Sequence, residues 1–186
     1  MYTGKMNKEV MSEPTFSLSE ATSEHAEEIF RIQKKTWLAT YPNKDIGVTK
    51  EMIEERFGDA EGRVQKWRDK IEGGKSKIWV AKAGTEVVGF CGVIEGAHEN
   101  RLASIYVDPA QQGVGIGSAL IEQALHYLGR GKDILIDVVS YNESAIAFYI
   151  KHGFVVDSSL PEEELLTIGV VKLPEIKMLL KRSDVE

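Results

Sequence analysis

The stretch Gln111-Gln112-Gly113-Val114-Gly115-Ile116-Gly117 follows the apolar run Ile105-Tyr106-Val107 and precedes Ser118-Ala119-Leu120-Ile121. Three alternating glycines stand where a strand pattern gives way to a helix pattern. A helix N-terminus exposes unpaired backbone N–H groups and a partial positive charge. Glycines ahead of it let the backbone come close to a ligand without side-chain obstruction. Together they make a phosphate cradle. The competing reading is a tight turn in which the glycines serve chain reversal alone.

The spacing excludes two well-known phosphate loops. A P-loop places Lys-Ser/Thr after its last glycine, whereas Ser118-Ala119 follows here. A dinucleotide fingerprint needs Gly-x-Gly-x-x-Gly. Counting from Gly113 its last position is Ser118, and counting from Gly115 it is Leu120. The turn also comes after several strands rather than after the first one.

The surrounding pattern gives the architecture. Thr15 to Leu18 alternates like a short strand. Thr22 or Ser23 caps a helix, with Ala26, Ile29, Phe30, Gln33 and Trp37 on one face, and Tyr41-Pro42-Asn43 breaks it. Thr49 caps a second helix through Phe57, and a charged third helix covers Glu61 to Ile71. Strands follow at Ile78 to Ala81 and Val87 to Ile94, joined by a Gly84-Thr85 turn, and then at Leu102 to Val107. Behind the glycine turn, Leu120, Ile121, Ala124, Leu125 and Leu128 share one side of a helix that stops near Gly129. Ile134 to Val139 is a strand, Asn142 or Ser144 starts a helix ending at Gly153, and Phe154 to Val156 and Ile176 to Leu180 are strands. Ser158 to Pro174 has no clear pattern. Helices first, then an antiparallel meander, then strand-helix-strand-helix-strand, predict an α+β fold. Its mixed, mostly antiparallel sheet carries helices on both faces.

Length and charge narrow the function. A chain of 186 residues with 42% hydrophobic content suits one domain, expected over residues 15–182, behind an N-terminal arm at 1–14. A net charge of −6 argues against a nucleic-acid binder. No apolar run reaches membrane-spanning length, and the first residues lack the apolar core of a signal peptide. A single cysteine, Cys91, has no internal disulfide partner. It sits in an apolar strand, so a buried thiol and a cytoplasmic location are expected. No histidine pair has metal-ligand spacing, so no metal is expected.

Gln112-Gly113-Val114-Gly115-Ile116-Gly117 resembles Gln/Arg-x-x-Gly-x-Gly/Ala, the acyl-CoA pyrophosphate loop of the GNAT acetyltransferase superfamily. The resemblance extends over about Ser104 to Val156. Ile105-Tyr106-Val107-Asp108-Pro109 looks like that family's fourth strand and its exit. Asn142, Ala145, Phe148-Tyr149 and Gly153-Phe154 look like its Asn…Ala…Phe-Tyr…Gly-Phe segment. It is similar to small-molecule members, including a subset acting on polyamines.

The resemblance implies that the fourth and fifth strands splay apart. It implies acetyl-CoA as cosubstrate, held by backbone N–H groups from Gly113 to Ser118, with Gln112, Val114, Gly115, Ile116 and Gly117 in the loop. Strand backbone at Ile105, Tyr106 and Val107 would pair with the pantetheine arm, and the gap would hold the thioester near Val107 and Val138. Phe148 belongs to this set. Asn142 is either a cofactor-arm partner or a plain helix cap. Tyr149 is either the acid that protonates the departing thiolate or a core aromatic. Trp37 and Tyr41 are either the acceptor wall or core and loop anchors. The acceptor is an amine, on a small molecule or a peptide. About one alkylamine in a thousand is neutral at pH 7, so a base is needed. Glu95, His98 and Glu99, near strand ends, are candidates, whereas Asp137 alternates with Val138 toward the opposite face. His126 and His152 read as helix-surface residues. Exposed strands are compatible with a homodimer. A non-catalytic acyl-CoA-binding domain on the same fold is the competing reading.

Overall fold

The computed structural model describes residues 16–159 and 166–182. The expected arm at 1–14, Thr15 and the acidic stretch from Pro161 to Glu164 lie outside them.

The first strand is β1 (Ser17–Glu20), followed after a short 3₁₀ turn by α1 (Ala26–Thr40). The face of α1 that is buried comprises Ala26, Ile29, Ile32, Thr36 and Trp37. Phe30 and Gln33, expected on that face, are half-buried beside it. Thr49 caps α2 (Lys50–Arg56) by accepting a hydrogen bond from the Met52 amide, and Asp59 caps α3 (Ala60–Glu72) through the Gly62 amide. The meander is β2 (Lys77–Ala83), β3 (Glu86–Ile94) and β4 (Asn100–Val107). Then come α4 (Ile116–Leu128), β5 (Ile134–Val139) and α5 (Glu143–Lys151). Next are β6 (Val155–Val156), a small hairpin of β7 (Thr167–Ile168) and β8 (Val171–Lys172), and β9 (Glu175–Leu180). The hairpin lies inside the stretch where the sequence shows no pattern. Strands of two residues are too short for alternation to register.

Among the described residues the main sheet has the order β1-β2-β3-β4-β5-β9-β6. Every pairing is antiparallel except β4 with β5. That parallel pair is held at two positions, Asn100 opposite Ile134 and Arg101 opposite Leu135, and beyond them the strands diverge. A bulge forces the parting. Gly92 pairs with Ser104 and Val93 with Leu102, so Ala103 is an extra residue that bends β4 away from the plane. The predicted mixed sheet with helices on both faces and a split between the fourth and fifth strands is what the chain builds.

Two apolar layers clamp this sheet. Leu120, Ile121 and Ala124 of α4 pack with Tyr149 and Phe154 against Cys91, Ile136, Val138 and Met178. Ile29 and Ile32 of α1 pack with Trp67 of α3 against Val80, Val87 and Phe90. A third cluster joins Trp37, Ile53 and Phe57 to Val139 and to Ile168 and Leu173 of the hairpin region. This cluster walls one end of the split. Cys91 is fully buried, and burial pushes its thiol far up, which makes it an inert core residue.

Candidate functional site

The split in the sheet is continuous with a cavity of about 880 Å³. One end lies under the glycine turn. The chain leaves β4 at Asp108, whose carboxylate accepts from the Ala110 amide and so caps a 3₁₀ turn, Pro109–Gln111. Gly113 and Gly115 follow with φ of 85° and 91°, values that an L side chain rarely adopts. Helix α4 then starts at Ile116, and its first backbone bond within the turn runs from the Ala119 amide to the Gly115 carbonyl. The amides of Ile116, Gly117 and Ser118 therefore belong to the helix end that has no carbonyl of its own to meet. A Cβ on Gly117 would stand 3.4 Å from the Phe148 ring, so the small residue keeps that passage open.

Asp108 is the anchor of this turn. Lys35 on α1 donates to both of its carboxylate oxygens, at 2.6 and 2.8 Å. Burial alone would push the Asp108 carboxyl up. The Lys35 ammonium, the Ala110 amide and the Arg31 guanidinium outweigh burial and hold it below the usual carboxylate range. The sequence marks Asp108 only as a strand exit. Its partner stands 73 residues away, beyond the reach of a local pattern.

Of the residues expected at the cofactor, Ile105, Tyr106, Val107, Gln112, Gly113, Gly115, Gly117, Ser118, Asn142 and Phe148 line the cavity. Two expected loop residues turn their side chains elsewhere. Val114 is 56% exposed, and Ile116 is 2% exposed in the core below the turn. Alternation through the loop separates them from the cavity, and only their backbone belongs to the cradle. Gln112 uses its side-chain amide to donate to the Val107 carbonyl at 3.2 Å, tying the loop to the end of β4. Asn142 caps α5, its Oδ1 accepting from the Ala145 amide at 3.2 Å and from Ser144 Oγ at 3.0 Å. Its side-chain N–H groups keep their donor capacity. His152, expected on the helix surface, is half-buried. Its ring lies 4.6 Å from that of Phe148, and its Nε2 is 3.4 Å from Ser118 Oγ. His152 ends the first helical turn beyond Phe148, on the same side of α5, and this brings it back to the α4 N-terminus.

The other end of the cavity is aromatic and charged. Trp37, Tyr41, Tyr106 and Tyr149 line it together with Arg56, Arg101, Asp137 and Glu175. Trp37 packs edge-on against Tyr41 and Phe57, and its indole N–H donates to the Tyr106 hydroxyl at 3.1 Å. Core anchoring and cavity lining are thus combined in Trp37. Tyr149 is 6% exposed between Phe148 and Phe154, and burial pushes its phenol far up. It is a neutral O–H donor at any physiological pH.

The candidate bases Glu95, His98 and Glu99 do not line this cavity. They lie in the connection from β3 to β4, at the end of the sheet where β4 and β5 still pair. Glu95 accepts from Tyr127 there. The split opens at the opposite end of β4. Carboxylates inside the cavity come from β5 and β9 instead. Asp137 does turn to the face opposite Val138, and there it pairs with Arg101 and, at 3.4 Å, with Lys177. Glu175 accepts from the Leu166 amide at 2.8 Å. Burial, then the Asp137 charge, push its carboxyl up against the lowering pull of that amide, Lys177 and Arg101. Glu175 opens the last strand, where the chain before it has no readable pattern, and no sequence signal picks it out.

Among the described residues no group of three His, Cys, Asp or Glu side chains is placed to hold a metal ion, and no helix is long and apolar enough to cross a membrane.

Residues 74–156 match the family model of the acetyltransferase (GNAT) domain. The chain is 30% identical over 92 residues to the peptidyl-lysine N-acetyltransferase YjaB of Escherichia coli, covering 49% of this chain and 58% of that protein. It is 35% identical over 78 residues to the N-alpha-acetyltransferase RimI of Mycobacterium tuberculosis, covering 40% of this chain and 49% of that one. The chain thus spans about half the length of these curated relatives. In fold it is similar to the PaiA N-acetyltransferase of Thermoplasma acidophilum, solved in complex with coenzyme A. The TM-score is 0.70 at 20% identity, over 89% of this chain and 98% of that one.

Proposed function

We propose that this chain, whose residues 74–156 match a GNAT acetyltransferase domain, transfers an acetyl group from acetyl-CoA to a primary amine. The observation that carries the reading is the cavity through the split sheet. It joins a glycine cradle at a helix N-terminus to an end with a buried phenol and a carboxylate of raised pKa. Residues 15–182 then form one acyltransferase domain, and the buried free thiol of Cys91 suits a reducing, cytoplasmic compartment.

In this reading the amides at Gly113 to Ser118 hold the pyrophosphate, and the divergent backbone of Ile105 to Val107 pairs with the pantetheine arm as an added strand does. Asn142 contributes its side-chain N–H groups to the arm, and Phe148 packs along it. The acceptor amine enters beside Trp37 and Tyr41, and Glu175 takes its proton, directly or through one water. A carboxyl of raised pKa is better matched to that task than an ordinary one. The neutral amine forms the new C–N bond at the thioester carbonyl, the C–S bond breaks, the sulfur leaves with the electron pair, and the nitrogen gives up its surplus proton to water to become the amide. In this reading the Tyr149 O–H donates to that sulfur.

Time courses of free coenzyme A release test the reading, with a panel of polyamines, aminoglycosides, lysine peptides and peptides with free N-termini. An amine that accelerates release over background supports it. Binding of acetyl-CoA with no accelerating amine would instead support a non-catalytic acyl-CoA-binding domain.

A further inference from the structure

Four cations with no ion pair among the described residues share one wall of the molecule. Arg56 ends α2, and Arg63, Lys66 and Lys70 lie on one face of α3 at spacings of three and four. None of these four makes an ion pair among the described residues, whereas Arg31, Lys35, Arg68, Lys77, Arg101 and Lys177 each do. Aromatic rings fix three of them in place. Arg56 stands 5.1 Å from the Trp37 ring, Arg63 4.8 Å from Phe57 and Lys70 5.0 Å from Trp67. Burial pulls Arg56 and Lys70 below their ordinary values, so holding charge there is unfavourable for the isolated chain. The helix period puts Glu61 and Glu72 on the opposite side of α3.

The wall faces a second groove, of about 240 Å³, lined by Arg63, Lys66 and Lys70. Gln33, Ala103, Ser104 and Tyr106 line both this groove and the main cavity, so the two are neighbours across those residues. Ser104 Oγ is buried there with no hydrogen-bond partner among the described residues. From Arg63 to Lys70 the helix rises about 10 Å. An extended peptide covers that length in about three residues.

We infer that the groove binds an acidic peptide segment, so that the acceptor is a polypeptide whose reacting primary amine lies beside a short run of Asp or Glu. The inference rests on the acetyltransferase reading for the reaction and on the unpaired cations for the acceptor's charge. It separates the acceptor classes left open above. A polyamine would set like charges against Arg56 and the α3 ridge, whereas carboxylates at peptide spacing neutralise them. An anionic small molecule would meet one cation and leave the rest unpaired.

The test uses three fluorescent peptides, each with one free lysine flanked by three residues, all Glu, all Gln or all Arg. Binding is read by anisotropy in the presence of acetyl-CoA, and turnover by coenzyme A release. Exposed ion pairs each contribute factors of a few. The Glu peptide should therefore show a KM roughly tenfold below that of the Gln peptide, with an advantage that shrinks as salt rises. The triple variant Arg63→Glu, Lys66→Glu, Lys70→Glu should abolish or invert the preference, and Lys66→Glu alone, at an exposed position, should reduce it. Melting temperature and acetyl-CoA affinity report that the variants are folded. Equal KM values for the Glu and Gln peptides, a wild-type preference for the Arg peptide or spermidine, free glutamate reacting as well as the Glu peptide, or a preference unchanged in the triple variant each overturn the inference. Anisotropy keeps the two readings apart. Charge-selective binding without coenzyme A release leaves the groove standing and removes the acetyltransferase reading. Release with every peptide alike does the reverse.

Discussion

Lys35 and Asp108, 73 residues apart, are joined by two hydrogen bonds of 2.6 and 2.8 Å that tie α1 to the mouth of the glycine turn. Asp108→Asn removes the charge from this tie while keeping its shape. It should cost about 1.5–3 kcal/mol, the range for hydrogen bonds to charged groups. At this chain length that is about 2–4 °C of melting temperature per kcal/mol. Because the folded pKa lies below the unfolded one, the contribution is present above the ordinary Asp range and is lost as pH falls through the depressed value. Melting curves of wild type and variant should therefore converge in acid. Separation that persists there would show that the charge is not what anchors the turn.

Glu175→Gln tests the base. Loss of a general base lowers kcat/KM by about 10²-fold or more. The raised pKa gives a second signature, because the wild-type rate should climb with pH through a value above the usual Glu range, and this limb should vanish in the variant. The stability effect has the opposite sign. A carboxyl whose folded pKa is raised favours the fold below its unfolded pKa and loses that contribution as pH rises through the folded value. The amide variant should thus melt higher than wild type at pH 7 and no higher at pH 4. A variant that keeps the pH limb excludes Glu175 as its source.

Tyr149→Phe keeps the ring among Phe148 and Phe154 and removes the O–H. Turnover should fall by about 10²-fold, with acetyl-CoA affinity within about twofold of wild type. Calorimetric titration beside steady-state rates separates the two. An affinity loss as large as the rate loss would make Tyr149 a binding group.

Gly115→Ala places a side chain at φ 91° with no atom of the described residues, its chain neighbours aside, within 4 Å of it. The effect is therefore backbone strain of about 1–2 kcal/mol, expressed as a shift of the cradle. Acetyl-CoA affinity should drop by roughly tenfold for each 1.4 kcal/mol, with the far acceptor end unaltered. Full affinity in this variant would mean that the turn holds no pyrophosphate.

Local pattern carried the fold a long way. The caps at Thr49 and Asn142 and the glycine turn sit where side-chain chemistry dictates them. The end of the cavity under the glycine turn was also legible, because most of its residues are contiguous in sequence. The aromatic and charged end was not. Glu175, Asp137, Arg56 and Trp37 come from four separate elements, and only the sheet register and the α2 position bring them together. The choice of Glu95 to Glu99 as base region failed for a topological reason. A strand has two ends, and pairing with β5 closes the one where those residues lie. The β4 bulge lies opposite the Gly92–Val93 step of the neighbouring strand, and no pattern within β4 reveals it.

The parting of β4 from β5 also bears on self-association. A sheet usually offers its unpaired N–H and C=O groups at its rim, where any passing strand can zip onto them. Here a row of such groups lies in the middle of the sheet, flanked by paired strands on both sides and backed by the α4 layer. A second polypeptide cannot reach it edge-on. The slot thereby sorts its visitors by shape before any side chain reads them, and it keeps a sticky backbone seam out of reach of aggregation.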